Sequence, residues 1–591
     1  MMRRTIANVV LVLALLVATA HAKPAAVVKT RAPKPVASTP APAQPARHDG
    51  AHARVSFGQL GVLRQPREAV GRREEPLTAE EDTAKQIEKL LRGPLRTGVT
   101  GLFVADARSG EPLFAVNADD PLNPASNVKM ISTATALELL GPQFRYPTRL
   151  LGPEPDAAGA IRGNVYLLGS WDPTLTTADL DEIAQQLALR GVRRLEGNVI
   201  VGADPTRDGI YRAVIPIDVK AGLPGTAPIA TAPAGFDLVT FKITAKTAGF
   251  VARSRLSFIE ETIKDPTGHL RVQVTIAGTI GKGGQTTLSL ATKERTADAA
   301  FALRAALRAH QIDVTGDVAI AELGDFIGDS VTAGGLPHEL GRHESSQLAD
   351  IIAHVNKWSI NWLADRVIMT AAALAHRTTP SMEVALDAMY GWLERHPHLA
   401  KNDVLVDTGS GLSYRTRITA HELVSVVRSA AGFGDGDPLL APNALASHAW
   451  LDSLSISGTD GTLSRRFGTA DVRGRIRGKT GTLSTVIALS GVLDIDPTRP
   501  LAFSIVTNGD RPLSKGYVRR AHEQLVGLLC KYLAKTTKAV APLQLQPQVQ
   551  DVHPALPDVH PALTDVQPAL PDDLEESEPD SALDAETAGQ K

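Results

Sequence analysis

Neither end of this chain carries the apolar periodicity from which a core is built. Whatever folds must therefore fold between about residues 83 and 541. Residues 23–75 are rich in Ala, Pro and basic residues, a composition that stays extended because it lacks the apolar surface to offset ordering entropy. They read as a linker running to residue 82. At the other end, the seven residues 551–557 recur as 558–564 and 565–571. Proline in every repeat excludes a coiled coil despite the heptad spacing. His553 and His560 read as solvated repeat positions rather than metal ligands, since Gln567 stands in the third copy. With the acidic stretch 572–591, residues 542–591 form an expected disordered tail.

The middle can supply a large core, because 43% of the 591 residues are hydrophobic and 21% charged. Its stability cannot come from a disulfide, since Cys530 is the only cysteine. In its apolar helical surroundings, 525–530, that thiol reads as buried. Strand-like runs at 99–105, 163–168 and 197–201 alternate with helical stretches at 178–190 and 297–310, which predicts a mixed α and β fold.

The net charge of −2 conceals a basic start and an acidic finish. Residues 1–75 hold 12 Lys and Arg against 4 Asp and Glu, and residues 572–591 hold 1 against 8. The remainder is balanced and gives no electrostatic reason to expect nucleic acid. The start reads as an export signal over residues 1–22. It has basic residues at 3 and 4, an apolar run at 6–19 shorter than a comfortable bilayer span, and the small-x-small site Ala20-His21-Ala22. An exported protein of the periplasm or cell envelope is expected. The linker's Lys and Arg leave room for peripheral membrane or cell-wall association through the tails.

Three short motifs carry chemistry. In Ser126-Asn127-Val128-Lys129 a helix start follows Asn123-Pro124-Ala125, and the apolar face continues to Gly141-Pro142. Ser126 and Lys129 then meet one turn apart, where a serine feels the positive end of the helix dipole and a buried lysine can take its proton. In Ser359-Ile360-Asn361 a hydroxyl can relay a proton, while an amide can both donate and accept. In Lys479-Thr480-Gly481-Thr482 an edge strand lets an extended peptide approach its backbone, and the lysine and hydroxyls can bind a terminal carboxylate. A phosphate loop is excluded because its upstream glycine is missing.

Taken in order, Ser-x-x-Lys, Ser-x-Asn and Lys-Thr-Gly match the signature set of penicillin-binding proteins and serine β-lactamases. The 233 positions from Ser126 to Ser359, against 120 from Ser359 to Lys479, indicate a large insertion between the first two motifs. With that spacing the chain, from about 95 to 535, resembles the D-alanyl-D-alanine carboxypeptidase/endopeptidase family of class C low-molecular-mass penicillin-binding proteins, peptidase family S13. Asp172-Pro173, the stretch 409–413 and Asp460-Gly461-Thr462-Leu463 resemble further blocks of that family. The chain departs from it at Ile360, where the family has Asp, at Ser170-Trp171, where it has glycines, and at Tyr414 and Thr416, where it has Arg and Asn.

The resemblance implies a β-lactamase/transpeptidase-like domain, an antiparallel sheet with helices on both faces. That domain would comprise 83–149 and 341–541 and be split by an inserted region at 150–340. It implies Ser126 as acylating nucleophile, Lys129 as its general base, Ser359 and Lys479 as proton donors to the leaving group, and Asn361 as the residue orienting Lys129 and the substrate. Thr480, Gly481 and Thr482 would bind substrate, and no metal or organic cofactor is needed. The implied partners are peptidoglycan stem peptides and crosslinks, with β-lactams as inhibitors. A serine β-lactamase, a non-catalytic cell-wall binding protein and an esterase on the same fold are the alternatives.

Overall fold

The computed structural model describes residues 77–536 apart from 203–214, 233–238, 252–253, 265–269, 291–294, 334, 434–443 and 494–498. The expected export signal, the linker up to residue 76 and the repeat tail with His553 and His560 lie outside the described residues.

Folding starts slightly earlier than composition suggests. Helix α1 (Ala79–Arg92) opens with a capping box in which the Thr78 side chain accepts from Glu81 N at 3.1 Å and Glu81 Oε2 accepts from Thr78 N at 2.9 Å. Residues 79–82, expected at the end of the linker, are therefore helical. Thr-x-x-Glu was the signal for it, masked by the basic, proline-rich run before it.

A six-stranded antiparallel sheet organises the part that carries the motifs. Its strands are β1 (Val99–Asp106), β2 (Pro112–Val116), β3 (Ser455–Ile456), β4 (Ile476–Thr482), β5 (Val486–Leu493) and β6 (Leu501–Asn508), in the order β3-β4-β5-β6-β1-β2. The two faces follow from strand alternation. Leu501, Phe503 and Ile505 join Leu102, Val104, Ile487 and Leu489 in one core with α1 and the last described helix. Ala502 and Val506 join Phe103, Ala105, Ala488 and Val492 in another.

The second face is lined with small residues, so helices can approach it closely. They are α2 (Lys129–Leu140), α3 (Leu348–Trp358), α4 (Asn361–His376) and α5 (Ala420–Ala430), which bury Met130, Ile131, Val355, Val367 and Leu423. The last described helix, α6 (Lys515–Thr536), lies on the first face and buries Leu525, Leu529 and Cys530. Burial there pushes the Cys530 thiol up to about 12. The sheet is thus covered by helices on both faces, as expected for a β-lactamase-like fold.

Between α2 and α3 the chain leaves on Pro147–Gly152 and returns on His338–Glu344, two strands that pair antiparallel from His338↔Gly152 to Glu344↔Pro147. They form one side of a separate five-stranded sheet with Val165–Leu168, Val199–Val201 and Val318–Ile320. The helices Thr177–Leu189 and Arg295–Ala309 contribute Leu180, Ile183, Leu303 and Leu307 to its core. These elements realise the expected runs at 163–168, 178–190, 197–201 and 297–310 to within two residues. Among the described residues no helix is long and apolar enough to cross a membrane.

Candidate active site

The turn that carries Ser126 is a short 3-10 helix, Ala125–Val128, running straight into α2. Three residues per turn stack Ser126 directly beneath Lys129. The turn is held from several sides. Asn127 Nδ2 donates to Ser490 Oγ of β5 at 2.7 Å, and Asn123 Oδ1 accepts from Ala125 N at 2.8 Å. Ala125 takes a left-handed φ of 47°, an unusual conformation for a residue with a Cβ. Strain of this kind persists only where the surroundings over-determine the backbone.

Lys129 is fully buried while Ser126 is partly exposed. Its Nζ lies 3.1 Å from Ser126 Oγ, 2.6 Å from Asn361 Oδ1 and 2.7 Å from the Ser410 carbonyl oxygen. Asn361 is the first residue of α4, so its position is set by the joint between α3 and α4. That joint is Ser359, in the left-handed conformation at φ 59°, followed by Ile360 in extended conformation. Ile360, the departure within the second motif, turns its side chain to the core behind the joint. It leaves both polar neighbours on the open side.

The third motif lies on β4. Lys479 is fully buried, and its Nζ donates to Ser359 Oγ and to the Thr480 carbonyl, both at 2.9 Å. Burial, and after it the nearby charge of Lys129, hold the Lys479 ammonium well below the usual lysine range. Gly481 is required by a close approach: a Cβ there would lie 2.5 Å from the Pro124 carbonyl oxygen and 3.2 Å from Ala125 Cβ. β3 pairs with β4 only at Arg477 and Gly478, so beyond that point the edge of β4 at Lys479–Thr482 is unpaired. Thr480 donates to Thr462 Oγ1 at 2.9 Å, and Thr482 Oγ1 accepts from Arg519 at 3.1 Å.

All eight residues singled out from the sequence therefore belong to one cluster built around two serine–lysine pairs. Three contributors were not singled out. Asp365, four residues after Asn361 on α4, accepts from Ser410 N at 2.7 Å and so fixes the loop whose carbonyl meets Lys129. Burial raises the Asp365 carboxyl above its ordinary value, against the hydrogen bonds from Ser410. The i, i+4 spacing from Asn361 was the available signal for it. Ser410 acts through its backbone and lies in the stretch 409–413 already noted as a family block, whereas Arg519 comes from α6, nearly forty residues past the third motif, and leaves no local signature.

The 413–416 region sits beside this cluster. Thr416 is buried with its hydroxyl on Asp407 Oδ1 at 2.9 Å, and Ser413 donates to Asp407 Oδ2 at 2.7 Å. Tyr414 is exposed, its hydroxyl accepting from Ser484 N at 3.4 Å. Among the described residues no group of three or more His, Cys, Asp or Glu side chains is arranged to hold a metal ion.

The chain as a whole is similar to proteins of one family. Residues 83–206 and 203–532 match the model of the D-Ala-D-Ala carboxypeptidase 3 (S13) family. Over 470 residues the chain is 29% identical to a D-alanyl-D-alanine carboxypeptidase of Actinomadura sp., covering 72% of this chain and 80% of that one. It is 28% identical over 415 residues to a carboxypeptidase of Mycobacterium tuberculosis, covering 69% and 76%. Among solved structures, penicillin binding protein 4 from Haemophilus influenzae, complexed with a β-lactam, superposes with a TM-score of 0.56 at 21% identity. That match spans 75% of this chain and 99% of the other, and the likeness is one of fold.

Proposed function

The chain belongs to the D-Ala-D-Ala carboxypeptidase 3 (S13) family and is a serine-type D-Ala-D-Ala carboxypeptidase acting on peptidoglycan; from that premise we propose how its residues divide the work. The observation that carries the proposal is the pair of lysine–serine contacts, Lys129 with Ser126 at 3.1 Å and Lys479 with Ser359 at 2.9 Å.

A neutral amine has two N–H donors and one lone pair. Asn361 Oδ1 and the Ser410 carbonyl accept two hydrogens from Lys129 Nζ, which turns the remaining lone pair toward Ser126. Lys129 then takes the Ser126 proton as Oγ attacks the carbonyl carbon of the scissile amide. The developing oxyanion accepts from the N–H groups of Ser126 and Thr482. As the C–N bond breaks, Ser359 gives its proton to the leaving amine and is replenished from Lys479. An ester on Ser126 remains. The proton that Lys129 took from Ser126 passes on to Lys479, which has just given one up, so Lys129 is neutral again. It then takes a proton from water as the water oxygen attacks the ester, and returns that proton to Ser126 Oγ as the C–O bond breaks and the shortened peptide leaves.

Lys479, Thr480 and Thr482 bind the carboxylate beside the leaving amine, and Gly481 lets the peptide backbone lie close to β4. The open edge of β4 supports pairing with an extended peptide on either side of the scissile bond. This is what endopeptidase cleavage of a crosslink needs as well as removal of a terminal residue. β-Lactams bind as mimics of the same amide and acylate Ser126.

We further assign residues 83–149 and 341–541, extended at the start to take in all of α1 from Ala79, to the catalytic domain and 150–340 to an inserted one, on the separate cores that the described residues of the two regions build. The work is done in the cell envelope, and we place it in the periplasm because the substrate lies outside the cytoplasmic membrane. The test is the intact mass of the mature protein after incubation with benzylpenicillin, with the antibiotic followed in the same tubes. A lasting adduct that Ser126→Ala abolishes is the expected result. Consumption of antibiotic without an adduct would mean a β-lactamase, and neither would remove Ser126 as nucleophile.

A further inference from the structure

Arg519 has no part in the acyl transfer, yet it reaches the substrate edge. It stands near the start of α6, and its Nη2 donates to Thr482 Oγ1 at 3.1 Å. A hydroxyl that accepts from a guanidinium keeps its own hydrogen to donate elsewhere. Strand alternation places Thr482 on the same side of β4 as Thr480. The charge of Arg519 is poorly compensated. Among the described residues it forms no ion pair, and its neighbour Glu523 is engaged by Arg466 at 2.7 Å. Burial, with the like charge of Arg466 behind it, presses against protonation of Arg519, and Glu523 opposes this only in part. A half-buried guanidinium with a hydroxyl in front of it and no carboxylate of its own is suited to a planar anion arriving from outside.

We propose that Arg519 is a specificity residue for the carboxylate next to the scissile amide: its guanidinium, together with the Thr482 hydroxyl that it orients, holds that carboxylate at the far end of β4. The inference rests on the reading of Lys479–Thr482 as the substrate edge. It gives the site a reason to reject peptides whose carboxylate is blocked. The opposing role is a purely structural one, in which Arg519 ties α6 to β4.

The two roles are separated by a pair of substrates, an acyl-D-Ala-D-Ala peptide with a free terminal carboxylate and the same peptide ending in a carboxamide. For Arg519→Ala the expected result is a loss of about 10- to 100-fold in kcat/KM on the acid, carried mainly by KM, as for a charge-assisted hydrogen bond. On the carboxamide the change should stay within about threefold. Arg519→Lys, which keeps the charge, should recover part of the loss, and it decides the case if Arg519→Ala fails to fold. Equal losses on both peptides, or no loss on the acid, would overturn the proposal. Wild-type protein that cleaves neither peptide, or Ser126→Ala that still cleaves the acid, would overturn the underlying site reading and this inference with it.

Discussion

Ser359 holds two jobs at one position, and they can be taken apart. Its left-handed backbone turns the chain from α3 into α4, a conformation costing a residue with a Cβ about 1 kcal/mol. Its hydroxyl meets Lys479. Ser359→Gly relieves the first and removes the second. The melting temperature should hold or rise slightly, while acylation by benzylpenicillin falls by about 10²- to 10⁴-fold, the range for loss of a positioned proton relay. Rapid-mixing mass spectrometry beside a thermal melt checks both. Lys479 makes a prediction about pH. Its folded-state pKa lies well below 10.5, so between the folded value and 10.5 the unfolded chain binds more protons and stability rises with pH. Lys479→Met deletes that dependence. The variant should be stabilised relative to wild type most at neutral pH, with the gap narrowing toward pH 10 in melts followed by circular dichroism.

At the scale of elements, the site depends on how closely β4 lies against the turn that carries Ser126. Gly481 faces the Pro124 carbonyl with no room for a Cβ, whereas a Cβ at Gly478 would meet Leu489 Cδ1 and Ser490 O at 3.3 Å. Gly481→Ala should therefore push β4 from Ser126 and slow acylation by at least about 10-fold, since a displacement near 1 Å can cost about 100-fold. Gly478→Ala, with a contact that a small shift relieves, should lose less than about threefold. Acylation rates of the two variants at matched stability decide it. The motifs announced which elements matter, because each is a contiguous run whose side chains share a turn or a strand. The capping box of α1 was equally contiguous, yet its four residues sat at the end of a linker-like composition that outweighed them.

For the molecule as a whole, the candidate catalytic residues all come from outside 150–340, and the chain crosses into that region and back on paired strands. Gly152 and His338 are direct partners across that pair, so a two-residue Asn-Gly turn can join them. Replacing 153–337 by that turn, with Leu150 and Leu340 changed to Thr because they lose their core, should leave a folded protein. It should be acylated by benzylpenicillin within about 10-fold of wild type, on the principle that sites far apart act independently. Loss of acylation in a folded product would show that the inserted region shapes the site. The sequence by itself determined the three motifs, their order, the long interval between the first two and the mixed α and β character, because each rests on residues near one another along the chain or on a count of positions. Only the tertiary structure decided that the Ser410 carbonyl, Asp365 and Arg519 join them. A backbone oxygen has no sequence signature, and Asp365 and Arg519 look like ordinary charged positions on amphipathic helices. They become part of the site because α4 and α6 pack against opposite sides of the cluster that the sheet assembles.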